Sequence, residues 1–180
     1  MSNHSIFIAA GGTGGHIFPA LAVAREFIKN KYAVVFIGTG KEIEAKLLKG
    51  SQCHYEIIEF TPITGKGLIG FLKALTKFPI GLAKAFKLIN CYRPDAIIGF
   101  GGYPSVIPML AAAIKRIAIY IHEQNIKVGA ANKFLSIFCS KIFAVNGAVG
   151  FYKKTSIQYL SNPVRESFLS IPRWRYLPDS

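Results

Sequence analysis

The sequence predicts a Rossmann-like α/β domain with a doubly wound parallel sheet and helices on both faces. Three observations predict it. Short apolar runs without polar alternation recur along the chain, the pattern of strands buried on both faces. Segments with an apolar period of three to four residues lie between them. The strongest glycine clusters fall where a strand gives way to a helix, the junctions at which such sheets bind ligands. With 180 residues, 51% of them hydrophobic, the chain holds enough apolar surface for one full core.

Taken in order, the strands are expected at Ser5–Ala10, Ala33–Gly38, Tyr55–Glu59, Ala96–Gly99, Ile117–Ile121, Lys141–Val145 and Ile157–Leu160. The helices are expected at Ile17–Lys29, Lys41–Lys49, Leu68–Asn90 with a break near Pro79, Pro104–Ile114 and Gly129–Phe138. The break follows from proline's missing N–H and its clash with the preceding turn. The stretch from Ala96 to Ile114 carries no charge and is long enough to suggest a membrane span. Its glycines (Gly99, Gly101, Gly102) and prolines (Pro104, Pro108) fit strand, loop and helix instead. One domain is expected over 1–165, followed by a linker over 166–180. The N-terminus lacks the basic and apolar regions of a signal peptide. Three widely spaced cysteines form no CxxC pair and fit a reducing compartment.

The first glycine loop, Gly11-Gly12-Thr13-Gly14-Gly15-His16, lies between a strand and a helix start. That geometry offers bare backbone N–H groups at the positive end of a helix, where phosphate binds. It lacks the third glycine of a dinucleotide fingerprint, because Ile17 stands there. The second strand ends in Gly38-Thr39-Gly40 rather than an acid. No Gly-Lys-Ser/Thr is present, so NAD binding and ATP hydrolysis are both disfavoured. A second loop, Gly99-Phe100-Gly101-Gly102-Tyr103-Pro104-Ser105, repeats the arrangement, with Pro104 suited to a first helical turn. Two such helix starts from one sheet can face one diphosphate.

A third cluster, His122-Glu123-Gln124-Asn125, is expected just after a strand. Its carboxylate and amides suit sugar hydroxyls or a uracil edge. His16 and Glu123 are the general-base candidates nearest the loops. No metal site is expected: Asp occurs only at Asp95 and Asp179, leaving no pair to hold a cation on a diphosphate.

The net charge is +13, and the acid-free stretch between Glu59 and Asp95 contributes strongly to it. There Lys66, Lys73, Lys77 and Lys84 recur at helical spacing among Leu72, Leu75 and other apolar residues. Such a segment reads either as a surface that docks on anionic lipid or as an ordinary amphipathic helix with a solvated basic face. Nucleic acid is disfavoured, since no binding motif accompanies the charge.

Together the four motifs Gly-Gly-Thr-Gly-Gly-His-Ile-Phe-Pro, Gly-Phe-Gly-Gly-Tyr-Pro-Ser, His-Glu-Gln-Asn and Ser-Asn-Pro-Val-Arg, in this order, resemble the N-terminal half of the MurG family of peptidoglycan glycosyltransferases. The resemblance runs from Ile6 to about Arg165. It implies a GT-B architecture and transfer of N-acetylglucosamine, with inversion, from UDP-GlcNAc as donor substrate to lipid I, forming lipid II. It implies a peripheral location on the cytoplasmic face of the bacterial inner membrane, with no other cofactor. Carried over by position, it implies donor contacts for Thr13, Gly14, Gly15, Asn125 and Arg165. Gly11, Gly12, Gly101 and Gly102 would face the acceptor diphosphate, Tyr103 and Glu123 would line the acceptor side, and His16 would be the candidate base. Members are about twice as long, so a C-terminal donor-binding domain is expected in trans, and little or no transfer is expected from this chain alone. A membrane-docked module that binds a polyprenyl-diphosphate sugar without chemistry is the alternative. A nucleotide-binding regulator would instead require tight UDP binding by this domain.

Overall fold

The structure, a computed structural model, describes residues 4–59, 67–152 and 157–163; over 67–75 it describes the backbone. Seven strands form one sheet: β1 (Ser5–Ala9), β2 (Ala33–Gly38), β3 (His54–Ile57), β4 (Ala96–Gly99), β5 (Ala118–Glu123), β6 (Lys141–Ala144) and β7 (Ile157–Tyr159). Their order is β3-β2-β1-β4-β5-β6-β7. Every neighbouring pair is parallel. The helices are α1 (Gly14–Lys29), α2 (Glu42–Leu48), α3 (Gly67–Tyr92), α4 (Val106–Ile114) and α5 (Ala130–Leu135), with a 3-10 turn at Tyr103–Ser105.

The unbroken apolar runs of the inner strands are explained by burial on both sides. Ile6 and Ile8 of β1 join Ile17, Ala20, Leu21 and Ala24 of α1 in one cluster. Phe7 and Ala9, pointing the other way, join Ala85, Leu88 and Ile89 of α3 and Ile107 and Met109 of α4 in the second. Alternating side chains of one strand thus seed two cores. Each fully buried Ile or Phe contributes about 1.5–3 kcal/mol.

The expected strands are all present, with ends moved by one or two residues. The charge-free stretch is β4, the 3-10 turn and α4; among the described residues no helix is long and apolar enough to cross a membrane. Three expectations are corrected. Helix α3 runs through Pro79 without a break. Proline removes one backbone bond, while burial of Ala85, Leu88 and Ile89 holds the C-terminal half on the sheet, and packing outweighs the local cost. Helix α1 starts at Gly14, so the second glycine pair of the first loop is already helical. Strand β5 extends to Glu123, which places His122 and Glu123 inside the sheet rather than after it.

Candidate functional site

The order of strands reverses between β1 and β4, which lie side by side with Ala9 paired to Gly99. Connections leave these two strands in opposite directions, and the crevice between them is where doubly wound sheets hold ligands. Both glycine loops emerge there. They touch: a Cβ on Gly102 would stand 3.5 Å from the Gly11 carbonyl oxygen, and one on Gly12 would stand 3.6 Å from Cε1 of Tyr103. Gly101 and Gly102 have φ of 89° and 74°, the left-handed region that other residues adopt only with strain. Gly101 has a second reason to be glycine, because a Cβ there would come within 3.0 Å of Asn132 Nδ2 and 3.3 Å of His16 Cε1.

At the N-terminus of α1, Thr13 is extended (φ −140°, ψ 156°) and its side chain makes no capping bond. Its carbonyl accepts from the N–H groups of His16 and Ile17. Those of Gly14 and Gly15 point out of the first turn with no acceptor among the described residues. The first turn carries no acidic residue, so the positive end of the helix is not neutralised by its own sequence. Lys41 adds a full charge: its Nζ lies 3.4 Å from the Gly12 carbonyl oxygen and 5.9 Å from the centre of the Tyr103 ring. This lysine bridges the two loops, and sequence reasoning missed it because its position depends on the β2–α2 turn.

Glu44 was missed as well. Its side chain is fully buried although it is charged. Oε1 accepts from the Gly12 N–H (3.0 Å) and the Thr39 hydroxyl (2.7 Å). Oε2 accepts from the N–H groups of Thr39 (2.7 Å) and Gly40 (3.0 Å) and from the Tyr55 hydroxyl (2.7 Å). Burial pushes this carboxyl up, but the bonds from Tyr55, Thr39 and Gly12 outweigh it and hold the group below its ordinary value. The same contact acts in reverse on Tyr55, whose hydroxyl is driven upward by burial first and by Glu44 second. Glu44 thus ties the first glycine loop to the β2–α2 turn and to β3. One local signal marks it: an acid at the third helical position after a threonine and glycine turn, where a carboxylate reaches back to free N–H groups.

In the third cluster, Glu123 is 1% exposed. Oε1 takes the Asn125 N–H and Nδ2, both at 2.9 Å, and Oε2 takes the Gly129 N–H (3.1 Å) and Asn132 Nδ2 (3.0 Å). Its expected place as a base or on the acceptor side is therefore corrected: a carboxylate with four donors and no access to solvent fixes the loop after β5. Buried polar residues at a strand end look like surface in a sequence, because their partners lie several residues away. His122 is 5% exposed and stacks against Phe100 with ring centres 5.1 Å apart. Burial lowers its pKa, and the nearby Glu123 and Gln124 oppose that only in part.

Asn125 and Thr13 are exposed, and His16 and Tyr103 are half-buried beside the groove. His16 Nδ1 lies 2.8 Å from the Phe100 carbonyl oxygen, so the two glycine loops are also joined through this ring. Arg165 and Lys66 lie outside the described residues, as do the side chains of Leu72, Lys73 and Leu75. On the continuous α3, the spacing of Lys73, Lys77 and Lys84 puts all three within about 40° of one another. Lys77 and Lys84 are exposed, and Ile80 on the same face is 70% exposed. Glu59 approaches Lys77 only to 3.8 Å at the surface and does little to offset the charge of that face.

Residues 6–144 match the glycosyltransferase family 28 N-terminal domain. The chain belongs to this family. It is 37% identical over 167 residues to the UDP-N-acetylglucosamine–N-acetylmuramyl-(pentapeptide) pyrophosphoryl-undecaprenol N-acetylglucosamine transferase of Pelobacter propionicus, covering 91% of this chain and 44% of that protein. To the protein of the same name from Pseudomonas syringae pv. tomato it is 39% identical over 173 residues, covering 94% and 48%. The crystal structure of Acinetobacter baumannii MurG superposes with a TM-score of 0.76 at 30% identity, over 91% of this chain and 47% of that one. Anabaena HepE in complex with UDP, at 16% identity, shares the fold with a TM-score of 0.62 over 88% of this chain and 44% of that one. This family 28 domain spans about half the length of the relatives it matches. The A. baumannii superposition bears out the expected fold, the N-terminal half of a GT-B enzyme.

Proposed function

We propose that this domain is the acceptor half of a transferase that moves N-acetylglucosamine from UDP-GlcNAc onto lipid I, the polyprenyl-diphosphate-linked muramyl acceptor, giving lipid II for peptidoglycan. The names of its relatives support the reaction. One observation in the chain carries its own part: the touching glycine loops at the strand-order reversal, with the Gly14 and Gly15 N–H groups unengaged. A diphosphate spanning the loops would take these N–H groups at one end. The turn at Gly101–Gly102 would receive the other end, with Lys41 between. Helix ends and a lysine would supply the positive charge, and no metal is assigned a part. Of the two aspartates, Asp95 is committed elsewhere, accepting the Ser5 N–H at 3.0 Å beside the start of β1.

Thr13 and Asn125 would meet the donor, together with Arg165, and His16 would take the proton of the acceptor hydroxyl. The remaining donor contacts belong to a second domain, matching the part of the relatives that this chain does not span. The basic face of α3, with Ile80 on it, would rest on anionic lipid at the cytoplasmic face of the inner membrane, where each basic residue contributes about 1 kcal/mol. Calorimetry with a short-prenyl, water-soluble lipid I analogue and with UDP-GlcNAc tests the reading. The analogue is expected to bind and UDP-GlcNAc to bind weakly or not at all. Tight binding of UDP-GlcNAc with none of the analogue would overturn it.

A further inference from the structure

His16 Nδ1 has two neighbours at hydrogen-bond distance: the Phe100 carbonyl oxygen at 2.8 Å and the Gln124 amide, whose Nε2 stands 2.6 Å away. A carbonyl only accepts, so Nδ1 carries the hydrogen. A protonated Nδ1 cannot face an amide NH2 at that distance. The amide oxygen therefore belongs at this position, the orientation that the hydrogen-bond network decides. Turning the amide in this way also gives a partner to Gln124 Oε1, a buried atom that otherwise has none. Oε1 and the Phe100 carbonyl oxygen then share the single His16 Nδ1–H.

We infer that Gln124 is a positioning residue for His16: with the Phe100 carbonyl it holds the imidazole as the Nδ1–H tautomer and leaves the Nε2 lone pair free. No described residue takes up Nε2. The use of that lone pair rests on the function proposed above. There, Nε2 accepts the acceptor hydroxyl's proton as the hydroxyl oxygen bonds to the sugar's anomeric carbon, and UDP leaves with the electrons of the broken bond. The tautomer itself does not rest on that reading. Free neutral histidine favours the Nε2–H form, so the arrangement is specific to this fold.

The test is long-range 1H–15N correlation on the chain labelled at histidine, recorded at about pH 8, where unperturbed imidazole is neutral. His16 is assigned by its disappearance in His16→Ala. The native chain is expected to show His16 protonated at Nδ1. Gln124→Leu, which keeps bulk but removes the acceptor, is expected to shift the tautomer ratio about tenfold toward Nε2–H. Gln124→Glu, which restores an acceptor, is expected to return it. A native His16 protonated at Nε2, or a ratio unmoved in Gln124→Leu, would overturn the inference. The native spectrum decides even where the leucine variant fails to fold. Failure here leaves acceptor binding intact as a separate result, and failure of acceptor binding leaves the tautomer intact.

Discussion

Glu44→Gln separates a brace built into the site from an ordinary surface acid. The carboxylate accepts five hydrogen bonds, three from backbone N–H groups and two from hydroxyls. The amide keeps the shape but turns one acceptor into a donor, which then faces donors. Bonds to a charged acceptor contribute about 1.5–3 kcal/mol each, and a buried donor left alone costs about 1–3 kcal/mol. Gly40 is exposed and recovers water, so the net loss is smaller than the sum, about 2–4 kcal/mol. For a domain of this size, 1 kcal/mol moves the melting midpoint by about 2–4 °C. Thermal unfolding by circular dichroism is therefore expected to show Glu44→Gln melting about 4–16 °C below the native chain. The control is Glu42→Gln, which removes only the surface pair with Lys46 and is expected to change stability by about 0.5 kcal/mol or less. The depressed carboxyl also predicts a pH signature. The folded state holds its proton less tightly than the unfolded state, so the stabilisation is complete above the ordinary value of 4.5 and is lost as pH falls through the lower, folded value. Glu44→Gln should flatten that acid limb. Equal midpoints for Glu44→Gln and Glu42→Gln would show that Glu44 braces the loop no more than a surface acid does.

His122 predicts a second pH dependence of its own: the unfolded chain binds a proton that the buried ring resists, so stability should fall as pH drops through and below the ordinary imidazole value of 6.5, and His122→Phe should remove that slope. Lys41→Ala should weaken binding of inorganic pyrophosphate about threefold to fivefold at low salt, with the difference shrinking as salt rises; equal affinities would remove Lys41 from the site. The double variant Lys73→Glu with Lys77→Glu should reduce binding to vesicles rich in anionic lipid by about thirtyfold or more, while binding unchanged from the native chain would leave α3 an ordinary solvated face.

The fold was legible because a parallel sheet buries each inner strand twice, and runs such as Ile6-Phe7-Ile8 and Val34-Val35-Phe36-Ile37 have no other economical place. The glycine loops were legible because positive φ at Gly101 and Gly102 restricts the residue type directly. Glu44 was not legible as a partner of Gly12, since the two are 32 residues apart and meet only once β2 lies beside β1. Glu123 misled for a related reason. A charged residue at a strand end looks solvated until the donors of Asn125, Gly129 and Asn132 are folded around it. Pro79 looked like a helix break because its local cost is visible in sequence, whereas the packing of Ala85, Leu88 and Ile89 that offsets it is not.

If the two glycine loops form one diphosphate cradle at the β1–β4 reversal, a single ligand engages both. Backbone amide spectra of the chain, titrated with the short-prenyl lipid I analogue, test it most directly. Saturable shifts of the Gly12, Gly14, Gly15, Gly101 and Gly102 amides with a single common affinity are expected. Shifts in one loop alone, or in neither while the analogue binds elsewhere, would contradict it.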